Sequence, residues 1–415
     1  MPWTETCALD ERTRFVVEYD LLELSMAELC RKYGISRKTG YKWVARADVG
    51  GLGSLVNLSR APHAHPNELS AKLEEAIVAL RQQHPTWGPR KLRELLKGGE
   101  HLPAASTIGN LLKRRGLAVP RKHRRRVPPQ TQPFAACGQP NAVWCADFKG
   151  WFRTGDGRRC DPLTITDACS RYLLRCQVLP SQDHDCSQPV FEAAFRECGL
   201  PLAIRTDNGS PFATRALAGL SQLSVWWIKL GIHVERIDAG KPQQNGRHER
   251  MHLTLKNETA QPPEANSRAQ QRRFDAFRQE FNEDRPHESL AMQTPGSVYV
   301  PSPRAYPSRE PQLEYPAGWR IRKVMHKGGL NWKHDEVFLT AVLAGEEVGL
   351  EPIDDRYRRV WFGPVALATY RVKMLTAAER SKAGIVLMAA PGGKVPSAAL
   401  QEPSHPEQVL PMCPV

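Results

Sequence analysis

Apolar residues recur at helical intervals through the first quarter of the chain and at strand-like intervals beyond it. In "SMAELCRKYGISRKTGYKWVARA", Ser25 and Glu28 have the spacing of a capping box, Gly34 breaks the pattern, and a second helix starts near Ser36. Two helices joined by a Gly-containing turn predict a helix-turn-helix. Ile35, Trp43 and Val44 would face inward, and Arg37, Lys38, Tyr41 and Lys42 would face out as a recognition surface. An ordinary helical hairpin with a solvated basic face fits the same residues equally well. A second unit follows, with Leu73, Ile77 and Leu80 on one helix, a short helix in "WGPRKLRELL", and "STIGNLLKRRGL" starting at a Ser cap with Ile108, Leu111 and Leu112 on one face.

From about Asn141 the period shifts to that of strands. "AVWCADFKGWF", "DPLTITD" and "RYLLRCQVL" are linked by the turn sequences "TGDGRR" and "DACSR", which predicts three antiparallel strands. A helix ("QPVFEAAFREC"), a strand ("PLAIRTDNGS"), a helix-like apolar stretch ("LAGLSQLSVWWIKLG"), a strand ("HVERI") and a further helix complete the order, giving an α/β domain with a mixed sheet. After the five prolines between Pro301 and Pro316, short alternating runs predict a small β-barrel. The expected segments are 1–60 as a helix-turn-helix unit, 61–118 as a second helix-turn-helix or a winged-helix-like unit, 119–138 as a basic Pro-rich linker, and 139–300 as the α/β core. Residues 301–316 form a second linker, 317–375 the barrel, and 376–415 an Ala- and Pro-rich tail without a periodic core, expected to be disordered.

Charge narrows the class of partner. Lys and Arg number 58 against 44 Asp and Glu, a formal charge of +14, which favours a polyanion and nucleic acid first. "KRRGLAVPRKHRRR" holds eight Lys or Arg and no acid. As structure it reads as a solvated linker; Arg121, Lys122, Arg124, Arg125 and Arg126 within it would track a DNA backbone or enter a minor groove. The ten Cys are scattered without zinc-knuckle spacing, as free thiols in a reducing cytoplasm would be. Neither an N-terminal leader nor a run of 18 apolar residues is visible, so an unanchored chain without a membrane partner is expected.

Three acids stand out by position. Asp147 lies in an apolar strand, where a carboxylate needs a proton, a partner or a metal. Asp207 ends a later strand, and Glu249 sits in the helical stretch of "DAGKPQQNGRHERMHLTLK". Mg²⁺ takes oxygen ligands and keeps waters for a phosphate to replace, and two ions ~3.5–4 Å apart would clamp the attacking and leaving oxygens of a phosphodiester. Helical spacing puts Asn245, Glu249, His252 and Lys256 on one face, with Lys241, Arg247, His248 and Arg250 around them to meet a DNA strand. Rival acids have simpler readings: Asp167 as a turn residue, "DHDCS" at 183–187 as a helix N-cap region, and "PHAHP" at 62–66 as a linker lacking Cys partners. Asn282, Arg285 and His287 are expected to hold the turn that ends the last core helix.

The order "WCADFKG", "RTDNGSPF", "GKPQQNGRHERMH" and "FNEDRPHESLAMQTP" resembles the catalytic core of insertion-sequence transposases with an Asp-Asp-Glu triad, relatives of retroviral integrase with a ribonuclease H-like fold. The resemblance covers roughly residues 10 to 300. It implies Asp147, Asp207 and Glu249 as the triad and metal ligands, Mg²⁺ (or Mn²⁺) as two ions per site, and Lys256 as a basic residue near the terminal DNA bases. It further implies element terminal inverted repeats and target DNA as partners, a homo-oligomer that joins two ends, a helper ATPase as a possible further partner, and a bacterial cytoplasmic setting. The implied reaction cuts a strand to free a 3′-hydroxyl and then joins it to target DNA. Arg320, Arg322, Lys323 and Lys327 of the C-terminal module would serve DNA binding or assembly. One departure is the 41 residues between Asp207 and Glu249, longer than in the best-known branch, with the excess in "ALAGLSQLSVWWIKLG" as an extra helical turn or surface loop. The alternative is a sequence-specific DNA-binding regulator with an inactive core. A ribonuclease acting on hybrids would leave the two helix-turn-helix units without a purpose.

Overall fold

The computed structural model describes residues 7–59, 68–97, 102–118, 137–237, 246–332, 335–354, 357–371 and 387–389. Arg121, Lys122, Arg124, Arg125, Arg126, Lys241, Asn245, the 62–66 segment and nearly all of the tail lie outside the described residues, as does the side chain of Arg247. The chain forms two compact units, Met1–Ala71 and Lys72–Val415.

In the first unit, α1 (Ala8–Asp20), α2 (Met26–Lys32) and α3 (Arg37–Gly50) enclose Phe15, Val16, Leu29, Val44 and Leu55. The capping box forms as its spacing predicts: the Glu28 amide donates to Ser25 Oγ at 3.4 Å and the Ser25 amide to Glu28 Oε2 at 3.0 Å. Gly34 supplies φ +64° for the turn, and Ser36 Oγ accepts from the Thr39 amide at 3.2 Å to start α3. A Gly in mid-helix is costly in isolation. A Cβ at Gly40 would lie 2.7 Å from Cys30 Sγ and 2.9 Å from Phe15 Cζ, so its absence lets α3 close on the other two helices.

The second helical unit comprises α4 (Ala71–Gln83), α5 (Pro89–Leu95, with Pro89 at its first position) and α6 (Ala105–Arg114), which bury Ile77, Trp87, Leu92, Ile108, Leu111 and Leu112. The expected Ser cap of α6 is not used. The helix begins one residue before Ser106, at Ala105 with Ala104 as N-cap, where Arg93 Nε holds the Pro103 carbonyl at 2.9 Å and fixes the entry. This unit leans on the α/β core: His84 Nδ1 lies 3.0 Å from Glu280, Thr86 bonds Glu258, Arg90 lies 3.1 Å from Glu288, and the Arg285 guanidinium sits 5.6 Å over the Trp87 ring.

The core is a mixed sheet. β1 (Val143–Phe148), β3 (Arg159–Asp167) and β4 (Leu173–Leu179) run antiparallel in the order β1–β3–β4, and the two-residue β2 (Phe152–Arg153) pairs with the start of β3. On its other edge β1 pairs in parallel with β5 (Ala203–Thr206), and β5 with β6 (His233–Arg236), as crossover helices require. α7 (His184–Cys198) and α8 (Gln222–Lys229) cover one face over Trp144, Leu163, Ile165, Phe191, Phe195 and Trp227. α9 (Gly246–Thr259) and α10 (Ser267–Gln279) cover the other over Leu173, Cys176, Met251, Leu255 and Phe274. α10 runs on through a π turn at Glu280–Asp284, and α11 (Pro295–Val298) closes the domain. Asp183 caps α7 by accepting from the Cys186 amide at 2.8 Å. Asp167 accepts from the Ser170 amide at 2.7 Å and the Asn141 amide at 2.8 Å, the turn role its sequence suggests. Asn282 clamps the Leu173 backbone at 2.8 and 3.0 Å and Arg285 bonds Glu258 at 2.8 Å, so both tie α10's end to neighbouring elements rather than to its own turn.

The apolar stretch between β5 and β6, expected to add a helical turn or a surface loop, forms a partly exposed 3₁₀ turn at Leu217–Gly219 and then the buried helix α8. α8 is hydrophobic on all sides because it is covered on two: Leu223, Trp226 and Trp227 enter the central core, while Val225 and Ile228, with Leu220 just before the helix, meet the C-terminal strands. Those strands do not close into the expected barrel. β7 (Arg320–Lys323), β10 (Glu347–Pro352), β11 (Tyr357–Phe362), β12 (Val365–Arg371) and β13 (Leu387–Ala389) form an open antiparallel sheet in the order β13–β12–β11–β10–β7, and β8 (Gly329–Trp332) with β9 (Asp335–Phe338) makes a separate hairpin. Docking on α8 buries Val324, Leu343, Val348, Leu350, Val360 and Phe362 without closure of the sheet. Residues 301–316 lie along the core, with Leu200 donating to the Arg304 carbonyl at 2.7 Å and Lys229 bridging Glu310 and Glu346 at 2.7 and 2.9 Å. Among the described residues no helix is long and apolar enough to cross a membrane.

Candidate active site

The parallel pairing of β1 with β5 brings two acids near each other. Cys145 lies opposite Arg205 in that pairing; Asp147 follows two residues later on β1 and Asp207 two residues later, just past the end of β5, close enough for its charge to act on Asp147. Burial pushes the Asp147 carboxyl up to about 7, the Asp207 charge adds to it, and Glu249 adds a smaller push against the Phe148 amide and Lys149. Burial raises Asp207 also, while the Gly209 amide, donating at 3.2 Å, holds part of that back. Two half-buried carboxyls that oppose each other's ionisation form an arrangement that a cation relieves. The approach is narrow, since a Cβ at Gly209 would lie 3.0 Å from Asp207 Oδ2.

Behind Asp147 is a buried layer that includes His248, which was expected to meet a DNA strand and instead lies 2% exposed among Thr164, Thr166 and His252. Thr164 faces Asp147 across β1 and β3, and its hydroxyl donates to the Asp147 carbonyl at 3.1 Å. The same oxygen lies 2.6 Å from His248 Nε2 and 2.7 Å from His252 Nε2, and Thr166 Oγ1 lies 3.0 Å from His248 Nδ1. Burial pushes His248 down to about 3 and His252 to about 2, so both are neutral imidazoles. His252 Nδ1 stands 3.9 Å from Asp147 Oδ2. The spacing of the two His, four apart in "HERMH", places them on one helix face and was the available clue. Among the described residues, Asp147, His248 and His252 are the group whose ligand-type atoms lie within 4.8 Å of one another. Glu249, on the first turn of α9, is exposed and adds its charge from outside that group. The donor set suits a divalent cation, with carboxylate oxygens on the open side and imidazoles on the buried side.

Models of the integrase core domain match residues 138–242 and 230–295, a helix-turn-helix domain model matches 11–63, and a homeodomain-like domain model matches 39–112. An uncharacterized 31.7 kDa protein of insertion element IS407 from Burkholderia multivorans is 31% identical over 250 residues, covering 58% of this chain and 86% of its own length. The chain belongs to the integrase-core family of insertion-element proteins. A 39.2 kDa protein of insertion element IS476 from Xanthomonas euvesicatoria is 29% identical over 252 residues, covering 58% of this chain and 69% of its own length. The catalytic core of HTLV-2 integrase matches at 14% identity and a TM-score of 0.29 over 39% of this chain and 98% of that one. Membership makes this insertion-element protein a polynucleotidyl transferase in kind, with helix-turn-helix domains that bind DNA and a core of the type that uses divalent metal.

Arg37, Lys38, Tyr41 and Lys42 of the insertion-element protein are all exposed on the first turns of α3, with Gly40 and Val44 on the opposite, buried side. Trp43 is only partly buried. It carries the Arg12 guanidinium 4.0 Å over its ring, with Arg46 and Lys42 at 5.0 and 5.1 Å. Lys256 is exposed two turns along α9 from Glu249, whereas His252, expected beside them, is buried.

Proposed function

We propose that this chain is a DNA transposase that binds element ends through its helix-turn-helix units, cleaves a DNA strand, and joins the freed 3′-hydroxyl to target DNA. The side-by-side strands β1 and β5, which end near Asp147 and Asp207 so that the Asp207 charge acts on the buried Asp147 carboxyl, support it most strongly. Asp147, Asp207 and Glu249 form the proposed triad. Two Mg²⁺ ions, replaceable by Mn²⁺, held by these carboxylates would neutralise developing charge and activate the attacking hydroxyl. The chain's own residues orient. Thr164 and the two imidazoles fix the Asp147 backbone and the pitch of α9, and the glycine at 209 leaves room for a phosphodiester beside Asp207. Arg37, Lys38, Tyr41 and Lys42 enter the major groove. Arg121, Lys122, Arg124, Arg125, Arg126, Lys241, Asn245, Arg247 and Lys256 meet backbone or terminal bases. The proposal includes the segments 1–60, 61–118, 139–300 and 317–375 as domains, a homo-oligomer that joins two ends, a helper ATPase, and action in a bacterial cytoplasm.

Asp207→Asn tests the chemistry. Nicking of a duplex carrying the inverted repeats that flank the coding region should fall at least a thousandfold in Mg²⁺ buffer while the duplex remains bound, a loss on the scale of about 4 kcal/mol. Cutting at the unsubstituted rate would remove Asp207 from the reaction. A second reading, a sequence-specific regulator with an inactive core, draws on the exposed position of Glu249 outside the ligand group. Binding with a steep salt dependence is common to both readings, so metal-dependent nicking by the unsubstituted chain decides between them.

A further inference from the structure

Beside the acids lies a groove of about 270 Å³, set between the β1–β2 connection and the second half of α9. Its floor is apolar, made by Leu255, Phe274 and Pro162, and its rim carries Lys149, Trp151 and Lys256. Gly150 takes φ +88°, which turns the chain sharply after β1 and leaves Trp151 57% exposed at the rim. Trp151 thus offers an aromatic surface with a polar N–H beside an apolar-floored groove. Arg153 and Arg159 stand 5.8 and 5.3 Å from the ring, and Arg159 is already committed to Asp161 at 2.5 and 3.0 Å. Lys149 lies close enough to Asp147 to hold its carboxyl down slightly, and Lys256 is exposed on α9.

We infer that this groove receives one unstacked nucleobase of the DNA strand at the active site, stacked on Trp151, with Lys149 and Lys256 on the phosphates either side of it. The inference rests on the proposal that DNA lies across Asp147 and Asp207. Size supports it: the groove is slightly under the roughly 300 Å³ at which pockets for drug-sized ligands begin, which suits one planar heterocycle and not a duplex. Charge supports it too, because the rim is cationic, as a nucleotide's flanking phosphates require and an apolar peptide does not. Position fixes which base. Lys149 is two residues from Asp147 and Lys256 two helical turns from Glu249, so the pocket opens next to the reacting phosphate. A basic residue at 256 follows from the family resemblance; the aromatic wall and Lys149 opposite it are features of this structure.

The test uses the full chain, with EDTA to prevent cutting, and two short duplexes of one sequence, one blunt and one with a single-stranded overhang carrying a fluorescent purine analogue. The overhang duplex should bind about tenfold tighter, within the range for stacking of one base on an aromatic side chain, and the analogue's emission should be quenched. Trp151→Ala should erase the preference and the quenching, and Trp151→Phe should keep most of both. Neither variant should change the slope of log Kd against log salt, since neither removes a phosphate contact. Lys149→Ala should weaken both duplexes and flatten that slope. A Trp151→Ala variant that keeps the preference and the quenching overturns the inference. Asp207→Asn should keep both, so a failure of the catalytic proposal and a failure of the base pocket give different results.

Discussion

The two helical units read alike in sequence and differ in how they are held. Residues 7–59 pack around a cluster of their own, Phe15, Val16, Leu29, Val44 and Leu55, with Gly40 allowing the third helix to approach. The unit formed by α4–α6 has a core of comparable residues but places Trp87, 1% exposed, beneath Arg285 of the α/β core and ties His84, Thr86 and Arg90 to Glu280, Glu258 and Glu288. Apolar periodicity therefore specifies that helices form and which side they bury. It does not specify whether a unit stands on its own core or shares one. Glu258 lies on α9, the helix that also carries Glu249, so the second unit is fastened to an element of the candidate site.

Truncating the anchoring ring should have the largest effect. Trp87→Ala is expected to cost about 3–5 kcal/mol in denaturant unfolding, as for other fully buried large side chains. Phe15→Ala in the first unit should cost a similar amount, but only Trp87→Ala should speed amide exchange along α9. Equal, unchanged protection of α9 in both variants would mean that the second unit is as self-contained as the first. Next in size is Arg285→Ala, which leaves the half-buried Glu258 carboxylate with Thr86 but without its cationic partner and should cost about 1.5–3 kcal/mol, the value of a hydrogen bond to a charged partner. Combined with Glu258→Gln it should be clearly less than additive in a double-mutant cycle.

The smallest effect concerns Lys91 on α5. Burial, with Arg285 nearby, pushes its ammonium down to about 8 from the usual 10.5. A folded value below the unfolded one means that the unfolded chain binds more protons between those limits. Stability should therefore rise as pH climbs from 8 to 10.5 and be insensitive to this group below 8. Lys91→Met should flatten that part of the profile of denaturation midpoint against pH, with little effect of the same scan on the first unit.

The site was legible where chemistry and sequence neighbourhood coincide. Asp147 stood out as a charge inside an apolar strand, and Asp207 as an acid just before a glycine-bearing turn; the parallel pairing that sets their strands side by side is a property of the sheet. Asp183 and Asp167 were legible for a similar reason, since caps and turns bond within three residues. His248 and His252 were visible as a spaced pair, yet their partners Thr164 and Thr166 are more than eighty positions away, and no local pattern encodes that contact. The open C-terminal sheet was missed for the same reason. Alternating strands predict sheet, but whether a sheet closes on itself depends on what else covers its apolar face, and here α8 does so.

That double cover has a consequence for how such a chain tolerates damage. A premature stop within residues 317–371 would do more than delete an accessory segment. It would strip Leu220, Val225 and Ile228 bare, an oily strip on the crossover between the second aspartate and the glutamate, and the shortened polypeptide would clump rather than persist as a smaller working enzyme.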